Sequence, residues 1–162
     1  MRKLSSQLKV FKAPNPWSGP GPYVFLAGSI EMGNAELWQD YVIKKMQQSG
    51  VTATVLNPRR DVWDKKEVAR MSNPKFLEQV TWELDAQEAS DHILMHYDEN
   101  TKSPITLLEL GLFASTGKLV VSCPEGFWRK GNVEVVCDRF SVPLFNTLDE
   151  SINVVLQRCR RA

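Results

Sequence analysis

The chain has little cysteine: Cys123, Cys137 and Cys159 are the only three in 162 residues, and none stands in C-x-x-C spacing. An odd, scattered set argues against a disulfide framework and against a structural zinc site, and it fits the reducing cytoplasm as the expected compartment. Long apolar runs are missing as well. No stretch approaches the roughly 18 residues needed to cross a bilayer, and the basic N-terminal residues are not followed by an apolar segment of signal-peptide type. Charge of one sign is also lacking, since 20 Lys and Arg face 19 Asp and Glu for a net charge of +1. No bulk field would draw the chain onto a nucleic acid polymer or an anionic membrane, so the expected partners are small molecules or copies of itself. Only two histidines occur, His92 and His96, alternating with apolar residues and without a third ligand nearby, so no metal is expected. A flavin reading fails because the turn after the first strand lacks the hydroxyl-rich phosphate loop such a cofactor needs. No cofactor is expected.

What is present is globular. Hydrophobic residues make up 43% and charged residues 24%, and the length suits one domain with a single core. Residues 1–22 contain Pro14, Pro16, Pro20 and Pro22 with Gly19 and Gly21, which deny a helix or central strand its donors and dihedrals. This segment reads as an arm lying over the domain or over a neighbouring subunit, with one domain over residues 23–162. Residues 23–27 (YVFLA) form a short apolar strand ending in Gly28-Ser29, and Leu37, Trp38, Tyr41, Val42 and Met46 then recur at helical spacing. The pattern repeats: a strand over 52–56, a helix over 74–90 with Phe76, Val80 and Leu84 on one face, and a strand over 92–97. A helix with Ser103 as N-cap and Pro104 in its first position follows, running to about Gly117, then a strand over 119–122. A last strand over 142–145 precedes a helix with Ile152, Val155, Leu156 and Cys159 facing inward.

Short apolar strands alternating with helices predict an α/β fold. The expected form is a flavodoxin-like (Rossmann-like) doubly wound five-stranded parallel sheet with helices on both faces. Ligands of such sheets sit beyond the carboxyl ends of the strands, where strand order reverses. That rule selects residues 28–33, 57–63, 97–109 and 124–132.

One ionisable group stands out there. Glu109 lies in SPITLLELG (103–111) among Leu107, Leu108, Leu110 and Leu112, six residues into the helix and so within about 9 Å of its start. A carboxylate in apolar surroundings is costly unless paired or neutralised. The alternatives are a functional acid and a structural one that caps a donor or pairs with an arginine. Glu83, Asp85, Glu88 and Asp91 form an acidic helix end, either a solvated face or, for Glu83, a group turned to the crevice. Asp91 suits a turn residue bonded to backbone donors. Gly28 and Ser29 supply a tight turn and a hydroxyl, and Ser103 a hydroxyl at a helix start. Arg59, Arg60 and Trp63 leave the second strand as bidentate donors and an aromatic face. Trp38 and Trp82 read as core or interface residues.

Taken in order, FLAGSI (25–30), Glu83 followed by Asp91 and a strand, and SPITLLELG resemble the nucleoside 2-deoxyribosyltransferase family. The resemblance implies that Glu109 is a nucleophile forming a covalent deoxyribosyl intermediate, which a free base or water then discharges. It implies that Glu83, standing where the family usually has an aspartate, handles the nucleobase, with Asp85 able to share that role. Where many members carry an aspartate that orients the sugar, this chain has Ser103. That serine, with Gly28-Ser29-Ile30, is similar to a related branch that hydrolyses nucleoside 5-monophosphates, with Arg59, Arg60 or Arg129 supplying charge; Glu31, directly after Ile30, opposes a phosphate there. The implied substrates are nucleosides and nucleobases, or 5-monophosphates on the alternative reading. The implied assembly is a homo-oligomer with shared active sites, residues 128–132 (WRKGN) with Asn132 contributing in trans. A non-catalytic nucleotide-binding module on the same scaffold is the remaining reading.

Overall fold

The structure, a computed structural model, describes residues 7–31 and 35–162; Gly33, within one of the stretches selected above, lies outside them, as do residues 1–6. Six strands form one all-parallel sheet, β1 (Leu8–Lys12), β2 (Tyr23–Gly28), β3 (Ala53–Asn57), β4 (His92–His96), β5 (Leu119–Ser122) and β6 (Leu144–Phe145), in the order β1-β3-β2-β4-β5-β6. The sheet is doubly wound as expected, with one strand more than the sequence suggested. The extra strand is β1, from inside the proline-rich segment, whose five residues pair in register with all of β3. Proline and glycine crowd only the residues after it, leaving the donors of LKVFK free for the ladder.

Among the described residues five helices cover the faces: α1 (Trp38–Ser49), α2 (Pro74–Ala89), α3 (Pro104–Phe113), α4 (Lys130–Arg139) and α5 (Leu148–Arg161). Alternating side chains of the strands feed two cores. Val24, Leu26, Val55, Leu94 and Val120 pack under Trp38, Val42 and Met46 of α1 and Ile152, Val155 and Leu156 of α5. Phe25, Ala27, Leu56, Ile93, Met95 and Val121 pack under Trp82 and Ala86 of α2, Leu110 and Phe113 of α3 and Val133 of α4. Strands buried on both faces require the uniformly apolar sequences seen in β2 to β5.

Several elements differ from the sequence reading. α3 ends at Phe113, and a 3-10 turn over Ala114–Thr116 carries the chain to Gly117, whose left-handed φ of 77° stops it. β6 is confined to Leu144–Phe145, and α4, whose periodicity is weak, was not anticipated. The inward face of α2 is the largest difference: Leu84 is exposed and Phe76 and Val80 are only half-buried, whereas Gln79, Trp82, Ala86 and Gln87 are buried. Apolar spacing pointed to one stripe, and the chain buries the partly polar one beside it.

Strand order reverses between β2 and β4, because β2 continues through α1 on one face to β3 while β4 continues through α3 on the other to β5. At the carboxyl end of this pair Gly28 lies opposite His96, and Ser29 N–H donates to His96 O at 3.1 Å. Gly28 adopts φ 152°, and a Cβ there would stand 2.2 Å from His96 O and 2.8 Å from the Trp38 ring. Gly28→Ala is therefore expected to lower unfolding free energy by roughly 2–5 kcal/mol in urea titration. A loss below about 0.5 kcal/mol would show that the close approach is not required.

Candidate active site

Glu109 lies midway along α3 on the stripe Thr106, Glu109, Leu110 and Phe113 that the helix turns toward the sheet, while Ile105, Leu108 and Leu112 face outward. Only 9% of Glu109 is exposed. Burial pushes its carboxyl up to about 8, the nearby charge of Glu83 adds to the rise, and a hydrogen bond from Gln87 opposes it. The acid partner comes from α2. Gln79, Glu83 and Gln87 are spaced by four and so stack on one helical face. Gln79 Nε2 donates to Glu83 Oε1 at 2.7 Å and to Pro58 O at 3.0 Å, and Gln87 Nε2 donates to Glu83 O at 3.2 Å. Glu83 is raised above the ordinary carboxylate range, chiefly by burial, with the Gln79 bond and the charge of Arg60 acting the other way. Two carboxyl groups in one desolvated space resist simultaneous ionisation, so near neutral pH the pair retains a proton.

At the strand-order reversal, three buried hydroxyls form a closed triangle. Ser29 Oγ lies 2.6 Å from Ser103 Oγ and 2.9 Å from Thr101 Oγ1, and the last two are 2.7 Å apart. Thr101 also donates to Asp98 O at 2.8 Å, and Ser29 Oγ accepts from Asp98 N–H at 2.9 Å. With the Thr101 proton on Asp98, the single protons of the Ser29 and Ser103 hydroxyls can supply only two of the three sides of the triangle. The cluster is thus rich in acceptors. Ser103 occupies the N-cap position of α3, yet its hydroxyl makes no capping bond; its backbone is left-handed at φ 47°. Its N–H is taken by Glu31 Oε1 at 2.8 Å, which also accepts from Lys102 N–H at 3.1 Å.

A model of the family "Nucleoside 2-deoxyribosyltransferase like" matches residues 21–127. The chain belongs to this family. The match runs from just before β2 to past β5 and so contains Gly28, Ser29, Glu83, Ser103 and Glu109, with α4 and α5 beyond it. No curated protein gives a significant match. Membership in the deoxyribosyltransferase-like family implies glycosyl-transfer or N-glycosidase chemistry in nucleotide metabolism, on small-molecule nucleosides. Among the described residues no helix is long and apolar enough to cross a membrane.

The other residues singled out in the sequence fall in different places. Arg60 Nη2 pairs with Glu67 Oε2 at 2.9 Å and its guanidinium lies 4.5 Å over the Trp63 ring, so Arg60 and Trp63 form one unit whose charge reaches Glu83. Arg59 is buried and donates to the carbonyls of Ala35 at 2.5 Å and Glu36 at 2.6 Å and to Gln39 Oε1 at 3.2 Å. Its guanidinium holds the approach to α1. Asp85, which could share the role of Glu83 on the sequence reading, is exposed, two residues along α2 from Glu83 and so some 200° around the helix from it. Asn132, on α4, lines a groove of about 350 Å³ against α3 with Leu107, Leu110 and Trp128. Asp91 stands past the end of α2 and accepts from Tyr23 N–H at 2.7 Å, a turn residue bonded to backbone. Trp82 donates to Asn15 O at 2.8 Å and packs edge-on against Trp17. His96 bonds Ser122 Oγ at 2.7 Å, and burial lowers it to about 4, so it is a neutral strand residue.

Sequence reasoning missed Gln79, Gln87 and Thr101. Uncharged amides and hydroxyls give no signal of their own; the spacing of four on either side of Glu83 was the available clue.

The raised Glu109 has a thermodynamic consequence with a definite sign. The folded chain keeps a proton that the unfolded chain releases above the ordinary 4.5, so this group's contribution is greatest at low pH and is lost as pH rises toward about 8. Glu109→Gln is expected to match the native chain near pH 4 and to exceed it by a few kcal/mol at pH 9 in urea titrations. Parallel stability curves across that interval would show that Glu109 is not desolvated.

Proposed function

We propose that the chain is a nucleoside 2-deoxyribosyltransferase working through a covalent deoxyribosyl-glutamate. The observation that carries this reading is the buried Glu109 held beside Glu83 so that the pair retains one proton. Ionised, Glu109 is the nucleophile: its carboxylate oxygen bonds the anomeric carbon as the carbon–nitrogen bond to the base breaks. The released electron pair stays on the base, which takes the Glu83 proton on a ring nitrogen. An acceptor base then returns a proton to Glu83, its nitrogen attacks the anomeric carbon, and Glu109 leaves as carboxylate. A missing 2-hydroxyl makes the oxocarbenium-like transition state easier to reach, which fits a deoxyribosyl donor.

The acceptor-rich triangle of Ser29, Thr101 and Ser103 suits a sugar hydroxyl, which brings a proton, better than a phosphate, which brings none. Glu31 supports the same choice, since its carboxylate already takes the amides at the head of α3 that a 5-phosphate would need. The second reading, a 2-deoxynucleoside 5-monophosphate N-glycosidase, draws on the presence of three hydroxyls at a helix start. The groove lined by Asn132 and Trp128 supports a shared-site reading, in which a neighbouring subunit completes the site.

Chromatography of a 2-deoxynucleoside incubated with and without a second free base tests the reaction. A new nucleoside is expected; free deoxyribose alone would mean hydrolysis. Glu109→Ala is expected to lose at least about a thousandfold in kcat/KM, and full activity would remove it as nucleophile. The kcat/KM of the native chain is expected to fall as pH rises through about 8, where the pair gives up the one proton it retains and Glu83 can no longer protonate the base. Glu31→Gln is expected to raise the kcat/KM of a 5-monophosphate relative to its nucleoside by about tenfold or more, an unchanged ratio counting against the role given to Glu31.

A further inference from the structure

Gln79 is buried to 6% exposure on the side of α2 that faces Glu83. Its amide nitrogen uses both protons, one on Pro58 O at 3.0 Å and one on Glu83 Oε1 at 2.7 Å. Its carbonyl oxygen, Oε1, is buried without any partner. Turning the amide over is no remedy, because Oε1 would then face the Pro58 carbonyl, which has no proton to give. A buried acceptor left without a donor is unfavourable, and such atoms in a folded chain call for an explanation.

The position of that oxygen supplies one. α2 is entered from the carboxyl end of β3, so its N-terminal half lies toward the crevice, and Gln79 is bonded to Pro58, the first residue after that strand. Gln87, on the other side of Glu83, lies a turn further from the crevice and is fully buried, below the carboxyl groups. Gln79 therefore stands on the mouth side of the acid. Its nitrogen occupies one oxygen of Glu83 and leaves the other for proton donation, so the two side chains together present a donor beside an acceptor.

We infer that Gln79 is a specificity-determining residue that accepts a hydrogen bond from an exocyclic amino group of the nucleobase, next to the ring nitrogen that Glu83 protonates. The inference rests on the deoxyribosyl-transfer reading above. Adenine matches the pair, with its N7 acceptor beside an amino donor, and cytosine does so with N3 beside its 4-amino group. Guanine and hypoxanthine set a carbonyl oxygen against Gln79 Oε1, and uracil presents the two functions in reverse. A site whose buried acceptor is left unmet by the oxo analogue discriminates against it strongly.

The test is kcat/KM of the native chain on two matched pairs, 2-deoxyadenosine against 2-deoxyinosine and 2-deoxycytidine against 2-deoxyuridine. A preference of about tenfold or more for the amino member is expected in at least one pair, falling toward one in Gln79→Leu. Purine 2-deoxyriboside, which lacks the amino group and adds no bulk, is expected to fall well below 2-deoxyadenosine with the native chain, a comparison that needs no variant. Cleavage of all four donors with ratios near one would overturn the inference and leave the deoxyribosyl-transfer reading standing. A preference that persists unchanged in folded Gln79→Leu would likewise remove Gln79 from the role. Cleavage of none of the donors would instead overturn the reading itself, and the inference with it.

Discussion

The structure turns on the cost of placing Glu109 where water cannot reach it. A lone carboxylate in such a place is held mostly in its protonated form, and two groups of α2 act on it in opposite senses. A hydrogen bond from Gln87 favours its ionisation, and the charge of Glu83 opposes it, so that the pair keeps a proton. Neither effect arises without α2, whose buried stripe carries amides and an acid where an ordinary packing helix would carry leucine. That substitution explains why the face of the sheet bearing α2 and α3 holds the buried carboxyl pair, while the face bearing α1 and α5 is built from Val24, Leu26, Trp38, Met46 and Val155 and their apolar neighbours.

The reversal of strand order between β2 and β4 supplies the second half of the site. The two chains leaving these strands diverge to opposite faces, and the gap between them is lined by Ser29 from one and by Thr101 and Ser103 from the other. Gly28 makes the approach possible by bringing β2 against the backbone of β4 without a side chain between. Glu31 then sits over the start of α3, where its carboxylate accepts from Ser103 N–H, so the loop after β2 brings both a hydroxyl and a carboxylate to this gap. Membership in the deoxyribosyltransferase-like family fits both halves, because its match covers all of these residues.

Much of this was legible in the sequence, for physical reasons that differ by element. β2 to β5 announce themselves because strands covered on both faces are continuously apolar, and Glu109 is conspicuous as a single charge in such a run. β1 was hidden by the prolines beyond it, and α4 by a sequence, KGNVEVVCDR, whose apolar residues barely repeat. The misread face of α2 is more instructive: Phe76, Val80 and Leu84 have the right spacing for a core stripe, yet Gln79, Trp82 and Gln87 are the ones inside. Pattern reading assumes that what is buried is apolar, and it fails at the site because there the buried groups are chosen for hydrogen bonds. Arg59 shows the converse, since a charged residue beside the crevice is consumed by backbone carbonyls of the α1 approach.

β6, at one border of the sheet, is only two residues long. A strand from another molecule can add to a sheet only by reading a row of open amides and carbonyls, and two residues offer too short a template to hold it. The opposite border is the five-residue β1, half-buried along its length, with Lys9 and Lys12 on it to discourage an incoming ladder. The fold thereby guards against fibrous aggregation by truncating one margin and charging the other.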